Sequence, residues 1–480
     1  MTATKRRRLS AAIAATLRRV FGTQAETIAA RLAFLYRAAR DPLTATEFFG
    51  MAAAAAARFA AHREAADLAR LGIETLQDLP AGPARDQTEL SLRMLLGVSL
   101  MATRTYGNAE VERTYLRADE LIGDRESEPH YFQIKLAQWA NNIMRASLDT
   151  ACRLAEDLIR FARQAQPDER PGLLARACMA HGLTLTQMGQ FALSTERLEE
   201  AIACDSIAAD NGVVLFPLHP GAGSRAQMGI NLWYLGYPDR AAAVAREGYE
   251  QASRLARPYS HAFALMYCAG VHQLRGEPEK VLQLSRDAMA IADKKEHAYA
   301  EIWGWSSIRH GWAVAKLGDP VEGYREMRDS LEANRVNGSV AARAHFLSLM
   351  TAVLLDFDRL DEAGRVIDET LETIHATGSQ FYLSEALRLK GEWLLRTSGD
   401  SGRVQELFEE GLAVARKQSC RGFELRLLIS LVRLGEKAGR YSWCRDLEQA
   451  YARFTEGFET QDLRDARSLL HSTSVSGPAA

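Results

Sequence analysis

Eleven histidines and six cysteines are the residues in this 480-residue chain best suited to hold a metal or attack an electrophile. Their spacing favours neither. No HExxH or HxH pair occurs, so no short segment offers two imidazoles to one ion. Cys152, Cys178, Cys204, Cys268, Cys420 and Cys444 form no CxxC pair and show no zinc-ligand spacing with a histidine. As small apolar residues in helical segments they fit a reducing compartment. Ser384 and Ser430 have no nearby histidine to act as a base. The plentiful carboxylates sit three or four residues from Arg or Lys, as in RLEEAI and ELFEEGLAVARK, the spacing of solvated helix pairs. A GxxxxGK[ST] phosphate loop is absent, and so is a Gly-rich dinucleotide loop after a strand. Catalysis has no visible seat, and neither a cofactor nor a metal is expected.

What the chain offers instead is side chains for recognition. The stretch KKEHAYAEIWGWSSIRHGWA, from before His297 to Trp312, carries three tryptophans and two histidines on about one helix. Trp305 and Trp312 are seven residues apart and share a face. Such a stripe serves either as packing between repeats or as an aromatic shelf on an inner surface. In the same register the inner-face candidates are Trp233, Tyr234, Trp305, Trp312, His345, Arg388 and Glu392. Aromatic and Arg side chains bury much area for few lost rotamers, and a groove lined by them takes a peptide or a partner helix.

These positions share a face only if helices hold them in register. The chain is too long for one compact core, has only 13 prolines, and is rich in Ala, Leu, Arg and Glu, all strong helix formers. One pattern recurs along it: a small residue midway along a first helix, a Gly-containing turn, then an Ala early in a second helix. HGLTLTQMGQFALSTERLEEAI shows it with Gly182, turn Gly189, Leu198 and Ala201, and MGINLWYLGYPDRAAAVA with Gly229, turn Gly236 and Ala241. Further turns fall at Gly276, Gly318, near Asp358, at Ser398–Gly399 and at Gly439, with weaker ones near Ala146, Thr105 and Ala61.

From Gly189 onward the steps are 47, 40, 42, 40, about 41 and 40 residues, longer than the roughly 34-residue tetratricopeptide unit. The expected fold is therefore all-α, a tetratricopeptide-like right-handed superhelical solenoid of about ten helix pairs. The long first step contains the irregular segment 205–223, DSIAADNGVVLFPLHPGAG. It reads equally as a plain connection or as a functional loop, with Phe216, His219 and Pro220 as candidates. The expected divisions are basic N-terminal helices at 1–42, repeats at 43–222, further repeats at 223–471, and a disordered tail at 472–480.

The formal charge is −2. Residues 1–40 hold nine Lys or Arg against Glu26 alone, so this end is about +8 and the remainder about −10. A basic end on an acidic body could meet nucleic acid, but no helix-turn-helix is evident there. No stretch reaches the roughly 18–20 apolar residues of a membrane span. Arg18 and Arg19 stand where a secretory cleavage region would lie. A cytoplasmic protein without membrane contact is expected.

Several stretches carry a family resemblance: LMATRTYGNAEVERTYLRADEL (100–121), NLWYLGYPDRAAAVAREGYEQA (231–252), RPYSHAFALMYCAGVHQLRGEP (257–278), FYLSEALRLKGEWLL (381–395) and YARFTEGFETQDLRDARSLL (451–470). They resemble the tetratricopeptide C-terminal region of large bacterial proteins that join a class III adenylate/guanylate cyclase domain, or another signalling module, to a STAND-type ATPase. The resemblance spans about residues 10–472, and residues 10–42 look like the segment just after the ATPase's small winged-helix module. It implies a sensor or scaffold half whose enzymatic domains would lie upstream. No phosphate loop and no strand-borne pair of metal-binding Asp residues is found in this chain. Met1 and the tail from Ser472 to Ala480 read as natural chain ends, which favours a stand-alone product over a piece of a longer protein. The expected role is a non-catalytic interaction scaffold or sensor in bacterial signalling that binds a protein or peptide, with a separately encoded ATPase or cyclase as candidate partner. The alternative is a ligand- or peptide-sensing, transcription-related regulator that uses the basic N-terminus.

Overall fold

The computed structural model describes all residues except 1, 60, 105, 124–128, 208–216, 294–298, 337–339, 438–442 and 477–480. Among the described residues the regular structure is helical, with no strand. No described helix is long and apolar enough to cross a membrane. Packing divides the chain into two compact units, Met1–Asn141 and Asn142–Ala480.

The first unit contains α1 (Ala3–Phe21), a 3-10 helix (Gly22–Ile28), α2 (Ala29–Ala38), α3 (Pro42–Arg58), α4 (His62–Leu76), α5 (Pro83–Thr103), α6 (Ala109–Ile122) and most of α7 (Tyr131–Met144). Asp41 caps α3 by accepting from the Thr44 N–H at 3.2 Å, and Pro42 fills the first turn, where its missing donor costs nothing. Gly97 of α5 lies against the Tyr115 ring of α6; a Cβ there would stand 2.5 Å from Cζ. Basic α1 keeps only Ala14 buried.

The second unit continues with α8 (Leu148–Gln164), α9 (Arg170–Gln187), α10 (Phe191–Ile207), α11 (Pro220–Tyr234), α12 (Pro238–Arg254), α13 (Pro258–Leu274), α14 (Pro278–Asp293), α15 (Ala300–Lys316) and α16 (Pro320–Val336). It closes with α17 (Arg343–Asp356), α18 (Leu360–Thr377), α19 (Leu383–Thr397), α20 (Ser401–Lys417), α21 (Arg421–Lys437), α22 (Cys444–Ala452) and α23 (Gln461–Ser476). From α9 to α20 each odd-numbered helix joins its even-numbered partner through three residues.

Those joints share one hydrogen-bond pattern. The Tyr237 N–H donates to Leu232 O at 2.8 Å and the Gly236 N–H to Trp233 O at 3.0 Å. The same pair of hydrogen bonds closes the turns at Gly189, Gly276, Gly318, Asp358 and Ala146. This is the helix-ending motif that needs one left-handed residue, and Gly236 supplies it at φ +90°. The small mid-helix residues act as expected too. A Cβ on Gly229 would lie 2.9 Å from Ala245 Cβ and 3.0 Å from Ala241 O, and one on Gly311 would lie 2.6 Å from Gly323 O. The second unit is thus a tetratricopeptide-like solenoid of stacked helix pairs.

It also winds back on itself. Ser379 Oγ donates to Gln187 Oε1 at 3.1 Å across 192 residues, and the Gln380 N–H donates to Gln187 O at 3.0 Å. The Val340 and Ala341 N–H groups both donate to Met144 O at 3.0 Å. Arg426 Nη2 donates to Leu274 O at 2.9 Å, and Gly422 sits against the Trp233 ring. The ends of α7, α9, α11 and α13 thus meet the start of a first helix four to five pairs further on. Through the middle runs a series of aromatic contacts: Phe191–Tyr234 at 4.4 Å, Tyr234–Phe423 at 5.3 Å, Phe423–Tyr382 at 5.0 Å, Tyr382–His345 at 4.4 Å and Phe346–Trp305 at 5.7 Å.

Several expectations need restating. The packing boundary falls after Asn141, while the segment 205–223 lies inside the second unit. Its two ends belong to α10 and α11, and its middle, with Phe216, lies outside the described residues. Helix α23 continues to Ser476, so residues 472–476 are helical, not a loose tail. His297 and the turn at Gly439 also lie outside the described residues.

Candidate functional site

The second unit holds a groove of about 560 Å³. Its walls come almost wholly from the first helices of successive pairs. Gln273 and Leu274 of α13, Trp312 and Lys316 of α15, and Ser348, Ala352 and Leu355 of α17 form one side. Glu385, Arg388 and Glu392 of α19, Arg426, Ser430 and Arg433 of α21, and Asp462 and Asp465 of α23 form the other. One residue per helical turn faces inward, as Trp312 and Lys316 or Ser348, Ala352 and Leu355 do, because positions three or four apart share a face.

The charges along the groove are matched. Arg388 pairs with Glu385 at 2.8 Å and with Glu392 at 3.5 Å; Arg426 pairs with Asp462 at 2.9 Å and with Glu385 at 3.5 Å; Arg433 pairs with Asp465 at 3.1 Å. Ser430 Oγ donates to Glu392 Oε1 at 2.7 Å. Burial pushes the Glu385 carboxyl up, but Arg388 and Arg426 outweigh it and hold the group below the ordinary range. At Asp462 burial wins over Arg426 and raises the pKa. Gln273, 5% exposed, leaves its Oε1 without a hydrogen-bond partner among the described residues.

The inner-face candidates divide between groove and interior. Trp312, Arg388 and Glu392 line the groove. Trp233, Tyr234, Trp305 and His345 are buried in the aromatic series: Trp233 packs edge-on to Phe423 at 5.4 Å beneath the Arg426 guanidinium, and His345 lies among Phe346, Phe381 and Tyr382. His219 and Pro220 stand away from the groove at the start of α11. There the His219 N–H donates to Ser260 Oγ at 2.8 Å, and Nε2 faces Asp205 Oδ1 at 3.6 Å.

Reading the sequence did not single out Glu385, Arg426, Asp462 or Gln273. Nor did it find Arg309, although it lies within the quoted tryptophan-rich stretch. The one available signal there was a lone Arg between Trp305 and Trp312 on an otherwise apolar helix face.

A second cluster joins α8 to α9. Donor atoms of Cys152, Glu156 and His181 lie within 4.8 Å of one another, with Cys152 Sγ 3.6 Å from His181 Nε2. These residue types suit a borderline-soft divalent ion. Burial raises the Cys152 thiol and lowers His181, the reverse of what an activated thiolate–imidazolium pair needs. Spacing along the sequence misses this cluster because its ligands come from two facing helices.

No family model matches the chain. An uncharacterized protein of Rhizobium meliloti (strain 1021) is 23% identical over 214 residues, 45% of this chain and 21% of that protein. The chain thus spans about a fifth of the length of this curated relative. Among solved structures, it is similar to a Rap protein complexed with competence and sporulation factor, at 14% identity and a TM-score of 0.46 over 72% of this chain and 99% of that one. NprR in complex with its cognate peptide NprX gives 13% identity and a TM-score of 0.45 over 80% and 99%. Aspartyl phosphate phosphatase F from Bacillus subtilis gives 13% and 0.43 over 79% and 96%. The resemblance to cyclase-linked ATPases is supported only as far as the tetratricopeptide-like fold.

Proposed function

We propose that the second unit is a peptide-recognition module and that the chain works as a scaffold or sensor in the bacterial cytoplasm. The segment it holds would belong to a signalling partner, for which the sequence resemblance suggests a separately encoded ATPase or cyclase. The observation that carries this reading is the groove itself, an opening of about 560 Å³ walled by consecutive first helices. Its size matches ligand sites in general. Its paired charges suit a polar backbone better than a purely apolar guest.

The test is selection from a synthetic random-heptapeptide pool on the full chain, followed by affinity measurement for the best binder. Ala352→Trp fills the groove and is expected to weaken binding at least about tenfold, or ~1.4 kcal/mol. Glu392→Lys is expected to change which peptides are selected by breaking the Arg388 and Ser430 contacts. Unchanged binding by both variants, with intact helical circular dichroism, would rule the groove out.

A further inference from the structure

A half-buried thiol, a buried imidazole and an exposed carboxylate converge between α8 and α9. Cys152 and Glu156 are four residues apart on α8 and so share a face, and His181 meets them from α9. His181 keeps 6% of its surface, and its one hydrogen-bonding contact is Nε2 to Cys152 Sγ at 3.6 Å. Nδ1 is enclosed without a partner among the described residues. A thiol is a weak partner for an imidazole, and a buried polar ring so poorly satisfied calls for an explanation.

Charge and spacing both point to a cation. Glu156 makes neither an ion pair nor a hydrogen bond among the described residues. Both arginines near it on α8 turn elsewhere: Arg153 Nη2 donates to Thr150 Oγ1 at 3.3 Å, and Arg160 pairs with Asp157 at 2.8 Å. The negative charges of Glu156 and Asp149 act on the thiol, and those of Glu156 and Glu200 on the imidazole, against Arg197. Zinc holds sulfur at about 2.3 Å and nitrogen at about 2.0–2.1 Å with tetrahedral angles, which sets the two ligand atoms about 3.6 Å apart. That is the separation of Cys152 Sγ and His181 Nε2. The three donor atoms lie within 4.8 Å of one another, and Glu156, on the surface, closes the remaining distance by rotating its own side chain.

We propose that Cys152, Glu156 and His181 bind a zinc ion, with water in the fourth position on the solvent side, where Glu156 is exposed. Thiolate, imidazole and carboxylate are all zinc ligands, and three protein ligands plus water make an open site. The Cys152 thiol gives up its proton to solvent as the S–Zn bond forms, so binding strengthens as pH rises. The ion ties the second helix of one pair, α8, to the first helix of the next, α9. None of the three residues lines the groove, so the site stands or falls apart from peptide recognition.

Cobalt(II) and zinc titrations of the reduced, tag-free full chain test it. One equivalent of cobalt should give a near-ultraviolet thiolate-to-metal charge-transfer band and the intense visible bands of a four-coordinate ion, and one equivalent of zinc should remove both. Cys152→Ser should abolish the charge-transfer band and weaken zinc binding at least about a hundredfold, beyond the effect of losing an outer-shell partner. Cys204→Ser, at another half-buried thiol, should change neither. X-ray absorption at the zinc edge of the wild-type complex needs no variant, and should show one sulfur at about 2.3 Å with nitrogen and oxygen at about 2.0–2.1 Å. If wild type binds no stoichiometric zinc, the 3.6 Å contact is a thiol–imidazole hydrogen bond and the proposal is overturned. A charge-transfer band that survives in Cys152→Ser, or a sulfur count other than one, overturns it as well.

Discussion

His345 and Arg309 are neighbours with opposite problems. Arg309 stays charged in an apolar surround, whereas burial, helped by the Arg309 charge, drives the His345 imidazole well below its ordinary 6.5. Folded His345 is therefore neutral at pH 6, while the unfolded imidazole takes up a proton below about 6.5. The unfolded state then binds more protons, so stability is full above that pH and falls as the solution is acidified. The slope from one such group is at most about 1.4 kcal/mol per pH unit. His181 and His261 are shifted the same way by burial. His345→Phe should flatten part of the stability loss between about pH 6.5 and 5, above the range where carboxylates titrate, as measured by urea unfolding at each pH; an unchanged slope would show that His345 is accessible. Helical register in the sequence placed His345, Trp233 and Trp305 inward. It could not say whether the inward space was open: Phe346 against Trp305 and Tyr382 against His345 come from the next repeat, and Phe423 against Trp233 from a helix five pairs further on.

The helix pairs themselves were the most legible feature. A Gly followed two residues later by Pro marked turns such as Gly236, Gly276 and Gly318, because a left-handed residue followed by a helix start is a local demand. Asp358 and Ala146 were found through the period alone, and both carry the strain of positive φ without being Gly, at +58° and +56°. Replacing Ala146 by Gly should therefore raise stability by up to about 1 kcal/mol, and Gly236→Ala should lower it, both read from chemical denaturation. Where two first-to-second helix contacts rest on backbone, little can yield. Gly311→Leu and Gly229→Leu are expected to cost roughly 1–3 kcal/mol or more, since Gly323 O and Ala241 O face the added carbon. Unchanged melting in both would mean that these pairs are spaced further apart. The Cys152–Glu156–His181 cluster was illegible for a simple reason: side chains on two helices share no sequence spacing.

In a linear solenoid each repeat touches only its neighbours and can unravel from an end. The second unit adds contacts between residues far apart in the chain, such as Ser379 to Gln187 and Phe423 to Trp233. It should unfold as one cooperative transition. Phe423→Ala, which removes a fully buried ring touching Trp233, Tyr234 and Tyr382, is expected to cost about 3–5 kcal/mol and to split that transition; calorimetry of the variant reads both. The sequence showed the beat of the pairs but neither this winding nor the division after Asn141, because the repeat continues across that point and the long contacts leave no periodic mark.

The central claim is that the inner groove holds a peptide. It is tested most directly by giving the best-selected heptapeptide a photoreactive benzophenone and mapping where it attaches. Attachment to inward residues of α13 to α23, such as Ser348, Ala352 and Ser430, is the predicted result. Attachment confined to the second helices α14, α16, α18 and α20, or to the first unit, would contradict it.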